Sequence, residues 1–408
     1  MSPLSYVLVT PYTIAKSRTG GVIARLLSRL DLELVGAQMI APEGSFVKEF
    51  ASSLREEVSP QDVSLLADYV DQNMGPSGGR RHRSLLLLFQ GENPCEKLTG
   101  ICGRLYPEHR DFASLTGETI RDTYADLIYA PGETGRVSYF EPAVLTPRSQ
   151  RWADRDLLLF AKFLKGQENI IKNMQYSEPE KIERTLVIIK PDNWQYASSR
   201  PGTIIDMFSR TGLRIVGIKV HRFSLTGALE FYGPVEAALK EKLSPLFGQK
   251  AREILERELK LNLSMETEKT LIGSVGFEYA QDQFYRIIEF MSGKRPDTCL
   301  PRDQDKPGSV KCMILIYEGI NAIKKIREVL GPTDPLKAPG GTVRREFGSN
   351  VMVNTAHASD SRESFERERA IVKIEENSLE SVIRACFEQR ADAALQVDQA
   401  SRTPLAVS

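Results

Sequence analysis

Two long stretches of the chain carry the same alternation of short apolar runs and amphipathic segments. From Tyr6, YVLVTPYTIAKSRTGGVIARLLSRLDLELVGAQMI predicts a strand, a loop, a helix and a second strand, and RTLVIIKPDNWQYASSRPGTIIDMFSRTGLRIVGIKV, from Arg184, predicts the same series. Thr10-Pro11 aligns with Lys190-Pro191, and LVG at Leu34 aligns with IVG at Ile215 after one inserted residue. A repeat this long indicates two copies of one module, because solenoid repeats have periods of about 20–50 residues.

The second copy continues the alternation to its end. LVIIK, LRIVGIKV, CMILIYEG and VMVNTAH predict strands, whereas TIIDMFSRTG, SLTGALEFYG and NAIKKIREVLG predict helices, the first of them ending at Gly212. Strands and helices that alternate with short connections predict an α/β sandwich, with helices on one face of the sheet.

The repeat divides the chain into domains. We predict a first domain over residues 1–165, a linker over 166–183, a second domain over 184–390 and a C-terminal tail over 391–408. The linker GQENIIKNMQYSEPEKIE is polar, and the apolar periodicity fades along it before the second copy begins.

Composition narrows the class of protein further. The chain is 41% hydrophobic and 26% charged, with 54 basic and 54 acidic residues, so no global field attracts nucleic acid or an anionic membrane. No apolar run approaches the roughly 20 residues of a membrane span, and the start lacks the features of a secretory signal. Five scattered cysteines without a C-x-x-C arrangement are typical of free thiols. We expect a cytoplasmic protein with no nucleic-acid or membrane partner.

One of the four histidines has a placement suited to chemistry. His357 lies in NTAHASDS, after an apolar run and before the helical SRESFERERAIV, which predicts a side chain held rigidly at a strand end beside a helix N-terminus. A lone histidine is more often structural, and His82, His109 and His221 have no partner motif. The chain has neither a Walker A loop nor a G-x-G-x-x-G after a strand, so side chains must supply any phosphate site.

Four ordered motifs surround His357. ERTLVIIKPD at Glu183, YEGINAIKKIREVLGPTDP at Tyr317, GGTVRREFG at Gly340 and NTAHASDSRESFERE at Asn354 follow the order and approximate spacing of one family. In these motifs the chain resembles the nucleoside diphosphate kinases. The resemblance implies two tandem ferredoxin-like βαββαβ domains of the α/β (α+β) class.

The resemblance also implies roles for individual residues. His357 accepts the γ-phosphoryl group of a nucleoside triphosphate such as ATP and passes it to a diphosphate, and Glu368 orients it with Ser359 between them. The implied nucleotide-binding residues are Lys190, Tyr232, Phe284, Arg327, Thr333, Arg344, Val351 and Asn354, of which Lys190 and Asn354 also serve catalysis. Transfer through a single covalent site predicts ping-pong kinetics.

Other expectations concern what the protein binds. Mg²⁺ is expected on the nucleotide phosphates and not in a protein cage, since it keeps several waters and needs few carboxylates. The family forms dimers that build hexamers, so we expect a homo-oligomer in which the two copies of one chain form a pseudo-dimer.

The first copy departs from the family motifs at the reacting positions. Aligning TGETIRDTYADL with GGTVRREFG places Arg121 opposite Arg344 and Val144 opposite His357. Thr10 replaces Lys190, and Thr99 falls opposite Arg327. Without a nucleophile and two cations, this copy is expected not to transfer phosphate.

The second copy carries two insertions, and several interpretations stay open. Charged helical residues such as KAREILERELK separate Tyr232 from Phe284, and MSGKRPDTCLPRDQDKPGSVK lengthens the next connection. Anchoring the alignment on Met291 puts Gln283, not Phe284, where the family has its base-stacking phenylalanine, and core packing is the usual role of aromatic residues on helices. The alternatives to a kinase are a non-catalytic scaffold and a histidine phosphocarrier acting on another protein.

Overall fold

A computed structural model describes residues 2–57, 60–103, 117–129, 137–172, 174–377 and 379–401. His109 lies outside these residues. No helix in these ranges is long and apolar enough to cross a bilayer. All five cysteines are free, and only Cys299 is partly exposed.

The first half of the chain alternates strands and helices. Its elements are β1 (Leu4–Val9), α1 (Pro11–Ala15), α2 (Thr19–Arg29), β2 (Glu33–Ile40), α3 (Gly44–Glu57), α4 (Pro60–Asn73), β3 (Ser84–Gln90), α5 (Pro94–Cys102), α6 (Ile120–Tyr124), β4 (Asp126–Tyr129), β5 (Val137–Glu141), β6 (Val144–Leu145) and α7 (Gln150–Leu164).

The second half repeats this series with a longer helical segment in its middle. Its elements are β7 (Ile182–Ile189), α8 (Arg200–Ser209), β8 (Arg214–His221), α9 (Leu225–Leu259), α10 (Met265–Leu271), a π-helical turn (Ile272–Gly276), α11 (Phe277–Ser292), β9 (Cys312–Ile320), α12 (Ala322–Leu330), α13 (Val343–Phe347), β10 (Ala356–Ala358), α14 (Arg362–Val372) and α15 (Leu379–Ser401). The predicted strand VMVNTAH is reduced to β10, because Thr355 has a φ of 76° that breaks the extended backbone before it.

Each half contains an antiparallel four-stranded sheet. The strand orders are β6-β1-β3-β2 and β10-β7-β9-β8, which in chain order are both 4-1-3-2, the order of a ferredoxin-like βαββαβ sheet. The register shifts between Leu34 and Gly36 in one sheet and between Ile215 and Gly217 in the other, at the matching LVG and IVG. The predicted α/β class with ferredoxin-like topology is confirmed for the second half, and the first half has the same strand order.

Helices cover both faces of the sheets, so the prediction of helices on one face is wrong. Successive side chains of a strand point to opposite faces. In β1, Tyr6 and Leu8 pack with α3 and α7 in one cluster, whereas Val7 and Val9 pack with α2 in another. The residues of β7 from Leu186 to Ile189 are all fully buried, which requires cover on both faces.

The two halves share one hydrophobic core. Apolar residues of β1, β2 and α2 belong to the same buried cluster as those of β7, β8 and α8. Helices α2 and α8 cross at Gly20 and Gly202, where a Cβ on Gly202 would lie 2.1 Å from the backbone nitrogen of Ala24. At the sheet edges, Arg83 donates to the Ile215 carbonyl at 2.6 Å. The halves are therefore packed together along helices and sheet edges.

The predicted domain limits differ from the packing at two places. In the segment predicted as a linker, Ile170 and Ile171 are buried, and the Ile171 amide donates to the Val216 carbonyl of β8 at 2.8 Å. Helix α15, predicted as the end of the second domain and a tail, packs on the first half through Leu379 and Ile383. Apolar side chains in both segments are buried against neighbours that are distant in sequence. The average polarity of a segment does not reveal such contacts.

Candidate active site

His357 lies in the middle of β10, where strand pairing holds its backbone against Ile188 of β7. Its ring nitrogen Nε2 is 2.9 Å from Oε1 of Glu368, and the Ser359 hydroxyl donates to Oε2 of the same carboxylate at 2.6 Å. Glu368 is buried, whereas the His357 side chain is 24% exposed. Nε2 is thus hydrogen-bonded to Glu368, and Nδ1 is the ring nitrogen that remains available to react.

Helix α14 positions Glu368 because its buried face has helical spacing. Ser361 caps the helix by accepting from the Ser364 amide, and Phe365, Glu368 and Val372 are its buried residues. Spacings of three and four residues place these side chains on one side of the helix. The two apolar neighbours anchor that side, so the carboxylate is fixed toward β10.

Lys190 follows β7 and points into the loop before His357. Its ammonium donates to Asn354 Oδ1 at 2.6 Å and to the Met352 carbonyl at 3.3 Å. Burial, assisted by the nearby charge of Arg344, lowers the pKa of Lys190 to about 7. The Lys190 side chain is therefore hydrogen-bonded but poorly solvated. An anion in contact with it would stabilise the ammonium form strongly.

Asn354 connects two loops, each of which carries a predicted nucleotide-binding residue. Its Nδ2 donates to the carbonyls of Thr333 at 3.1 Å and Val351 at 2.8 Å. Thr333 and Val351 are exposed, so the amide holds two solvent-facing residues beside Lys190. The structure brings these four predicted residues together.

Arg344 lies on α13 and connects two loops under the site. Its guanidinium donates to the Gly331 carbonyl at 3.0 Å and to the Ala356 carbonyl, next to His357, at 3.1 Å, while its buried Nε has no partner among the described residues. Burial and then the charge of Arg327 lower the pKa of Arg344 to about 10. Arg327 lines an open depression with Asp360 and Ser361, directly after the histidine strand. Positive charge is thus concentrated beside His357.

The two aromatic residues predicted to bind nucleotide, Tyr232 and Phe284, lie in different surroundings. Tyr232, predicted to bind nucleotide, lies near His357 with ring centroids 6.5 Å apart, and the adjacent Phe231, which was not predicted, is closer at 5.2 Å. Phe284, predicted as a nucleotide-binding residue, is 2% exposed and packs in the core. The helical spacing of α11 indicated this core role.

Arg367 is a further residue that sequence reasoning missed. It donates to the Phe231 carbonyl at 3.0 Å, and its other terminal nitrogen is 3.6 Å from Glu368 Oε1. It links the start of α9 to the carboxylate that holds His357. Its only signal in the sequence is its position next to Glu368.

The corresponding strand of the first half shows a one-residue error in the predicted alignment. Leu8 pairs with Leu145 in the first sheet, and Ile188 pairs with His357 in the second, two residues before Thr10 and Lys190 respectively. Leu145, not Val144, therefore occupies the histidine position. Sequence alone lacked the strand register that decides this.

Other positions of the first half agree with the aligned motifs. Arg121 donates to the carbonyls of Gly103 and Val144, as Arg344 does to those of Gly331 and Ala356. Asp156 lies eleven residues after Leu145, the same separation as between His357 and Glu368. It is buried and accepts from the Tyr6 hydroxyl at 2.6 Å and the Ser53 hydroxyl at 2.7 Å. The carboxylate position is kept but satisfied by structural donors.

The second half thus has a ferredoxin-like fold with a carboxylate-held histidine beside several cations, an arrangement suited to phosphoryl transfer. The family model for nucleoside diphosphate kinase matches residues 301–377. A nucleoside diphosphate kinase of Bdellovibrio bacteriovorus is 30% identical over 190 residues, which cover 47% of this chain and 92% of the relative. One of Halorhodospira halophila is 29% identical over 187 residues, covering 46% and 89%.

Among solved structures, a nucleoside diphosphate kinase from Pyrobaculum aerophilum has 26% sequence identity and covers 47% of this chain and 94% of its own, with a TM-score of 0.32. That score is too low to add to the sequence match. Because one relative is 30% identical and covered over nearly its full length, the chain belongs to the nucleoside diphosphate kinase family.

Proposed function

We propose that the protein transfers the γ-phosphoryl group of a nucleoside triphosphate to a nucleoside diphosphate through a phosphohistidine at His357. The observation that carries this proposal is the hydrogen bond between Nε2 and Glu368, which leaves Nδ1 of a partly exposed ring beside the cations. In the neutral imidazole Nε2 carries the proton and donates to Glu368, so Nδ1 keeps its lone pair for attack.

The proposed reaction has two phosphoryl-transfer steps. The Nδ1 lone pair forms a bond to the γ-phosphorus, the bond from phosphorus to the bridging β,γ-oxygen breaks, and the diphosphate leaves with that electron pair. A β-phosphate oxygen of a second diphosphate then attacks the phosphohistidine and restores the imidazole. Lys190, Arg327 and Arg344 neutralise charge on the phosphate oxygens, which is the main requirement of phosphoryl transfer.

Mg²⁺ enters this scheme as part of the substrate. Among the described residues no group of three histidine, cysteine or acidic side chains is placed to hold a metal. The site instead offers ammonium and guanidinium groups, which suit the phosphates of a nucleotide that brings its own Mg²⁺.

The net reaction is tested by incubating the protein with Mg·ATP and GDP and measuring GTP. We expect parallel lines in double-reciprocal plots, because each nucleotide leaves before the other reacts. Labelling of a second protein without nucleotide exchange indicates a phosphocarrier, and neither exchange nor labelling indicates a scaffold. Either of those results contradicts the proposed kinase activity.

We infer that the first half is a catalytically inactive copy of the same module. In a His357→Ala background, Leu145→His is expected to give less than about 1% of the wild-type exchange rate, because the supporting cations are missing and effects of a catalytic unit are not additive. Leu145 is also buried, at 2% exposure. The measurement is GTP formation from ATP and GDP, with Val144→His as the matched variant. Substantial activity in either variant contradicts an inactive first half.

Protonation of Lys190 makes triphosphate binding depend on pH. With a pKa of about 7, Lys190 is mostly neutral at pH 8. Bound phosphates favour the ammonium and raise that pKa, so binding at pH 8 takes up as much as about one proton, and affinity falls up to about tenfold per pH unit between pH 7 and 9. The phosphates themselves are already ionised there.

Calorimetric titration with a non-hydrolysable triphosphate in two buffers of different ionisation enthalpy measures this uptake. We expect the heats to differ between buffers for the wild type and to agree for Lys190→Met. Equal heats for the wild type at pH 8 contradict the assignment of Lys190 to the phosphates.

A further inference from the structure

The first half contains a cleft of about 530 Å³ beside the loop that follows β1. Its walls come from α1, the end of α4, and β5. Among the described residues, the lining is mostly aromatic, polar or acidic and includes no lysine or arginine: Pro11, Tyr12, Ala15, Leu65, Asp68, Tyr69, Gln72, Asn73, His82, Ser138, Tyr139, Phe140 and Glu141.

The cleft lies at the strand end where the second half holds its buried cation. Thr10 takes the place of Lys190: its amide donates to the Ala143 carbonyl at 3.1 Å, as the Lys190 amide does to Thr355 at 2.9 Å. The Thr10 hydroxyl donates to Glu141 Oε1 at 2.7 Å, whereas Lys190 donates to neutral Asn354. The local charge is therefore reversed from positive to negative between the halves.

Glu141 is an unneutralised carboxylate at the bottom of this cleft. It is 2% exposed and accepts from the Thr10 hydroxyl and, at 3.3 Å, the Ala143 amide, with the Tyr69 hydroxyl beside it, and no cationic side chain of the described chain forms an ion pair with it. Burial raises the pKa of Glu141. A buried carboxylate without a counter-ion is costly, so the site favours a ligand that supplies one.

Tyr69 lies beside the same carboxyl group, close enough for its hydroxyl to interact with Glu141. It is 5% exposed and lines the cleft, yet its buried hydroxyl forms no hydrogen bond of acceptable geometry among the described residues. The Tyr69 oxygen and the Glu141 carboxyl group can both accept from a ligand that carries N–H donors.

The other charges nearby do not fill this role. Asp68 is already paired with Arg55, at 3.4 Å. Lys16 and Arg18 lie over the ring of Tyr12 at 5.5 and 5.6 Å, but neither lines the cleft. Aromatic faces attract cations through their quadrupoles, so the exposed ring of Tyr139 at the cleft suits a positively charged ligand as well.

We propose that the first half binds an organic cation, an alkylammonium or guanidinium group, in this cleft, with Glu141 as its counter-ion and Tyr69 as a hydrogen-bond partner. The reversed charge excludes the nucleotide phosphates that the second half is built to hold. The first half is then a ligand-binding module, and this role is independent of phosphoryl transfer at His357.

Calorimetric titration of the full-length chain with n-butylammonium chloride at low ionic strength tests the proposal. Neutral 1-butanol serves as the matched ligand. We expect butylammonium to bind and butanol to bind at least tenfold more weakly. Glu141→Gln is expected to weaken butylammonium binding at least tenfold, and Tyr69→Phe a few-fold, while Glu49→Gln, which changes a surface carboxylate of α3, leaves it unchanged.

Two further ligands distinguish the source of the cation. Tighter binding of cadaverine supports a free polyamine, and tighter binding of Nα-acetyl-lysine N-methylamide supports a lysine side chain of a peptide. Absence of binding by all three cations overturns the proposal, as does equal binding of butanol or unchanged affinity in Glu141→Gln. Melting curves verify that the variants fold, and if Glu141→Gln does not fold, unchanged affinity in Tyr69→Phe overturns the proposal instead.

Discussion

Replacing His357 with alanine is expected to abolish labelling by [γ-³²P]ATP and to lower nucleotide exchange at least about 10³-fold, because the residual site has no group to carry the phosphoryl. In the wild type the label should be acid-labile and base-stable, as a phosphohistidine is. The expected loss is specific because Lys190, Asn354 and Arg344 are held by carbonyl and amide contacts that do not involve the His357 side chain.

Glu368→Gln separates the nucleophile from the group that orients it. It keeps the size of the side chain and preserves one hydrogen bond to the ring, so labelling should remain while its rate falls about 10- to 100-fold, the range found when a metal-bound histidine loses its carboxylate partner. His82→Ala is the matched control, since His82 lies in the first half and contacts Ser77. Undiminished labelling in His357→Ala contradicts the proposed mechanism.

Adding one methyl group at Gly202 is expected to destabilise the whole chain by roughly 1–3 kcal/mol. The new Cβ would lie 2.1 Å from the Ala24 nitrogen and 2.3 Å from the Gly20 carbonyl oxygen, so helices α2 and α8 must separate. Backbone atoms cannot rotate away as a side chain does. Because these helices bury part of the core shared by both halves, the melting temperature of Gly202→Ala should fall by several degrees.

Gly100→Ala provides the same chemical change without the contact. Gly100 is inside α5, and nothing lies within 4 Å of its added Cβ. Alanine is the better helix former there, so this variant should be as stable as the wild type or more stable by about 0.5–1 kcal/mol. Equal melting temperatures for the two variants would show that the helix crossing contributes little to holding the halves together.

Most strands and helices of the second half, and its candidate site residues, could be predicted from the sequence. Apolar periodicity predicts β7, α8 and β8, because side-chain direction repeats every two residues in a strand and every 3.6 in a helix. The motif order around His357, through its resemblance to the family, predicts Glu368, Lys190 and Asn354 as site residues, and the structure places Glu368 on the His357 ring and Lys190 on Asn354. The residues within each of these segments therefore suffice to predict its secondary structure.

Tertiary structure decided what depends on register, burial and long-range packing. Strand pairing assigned Leu145 to the histidine position, because a one-residue shift is invisible in an apolar run yet moves every side chain to the other face. The tertiary structure also shows that Phe284 is buried in the core and that α15 packs on the first half. The cleft around Glu141 is lined by α1, α4 and β5, which are distant in the sequence of the first half. The local sequence pattern does not indicate which side chains come into contact across such distances.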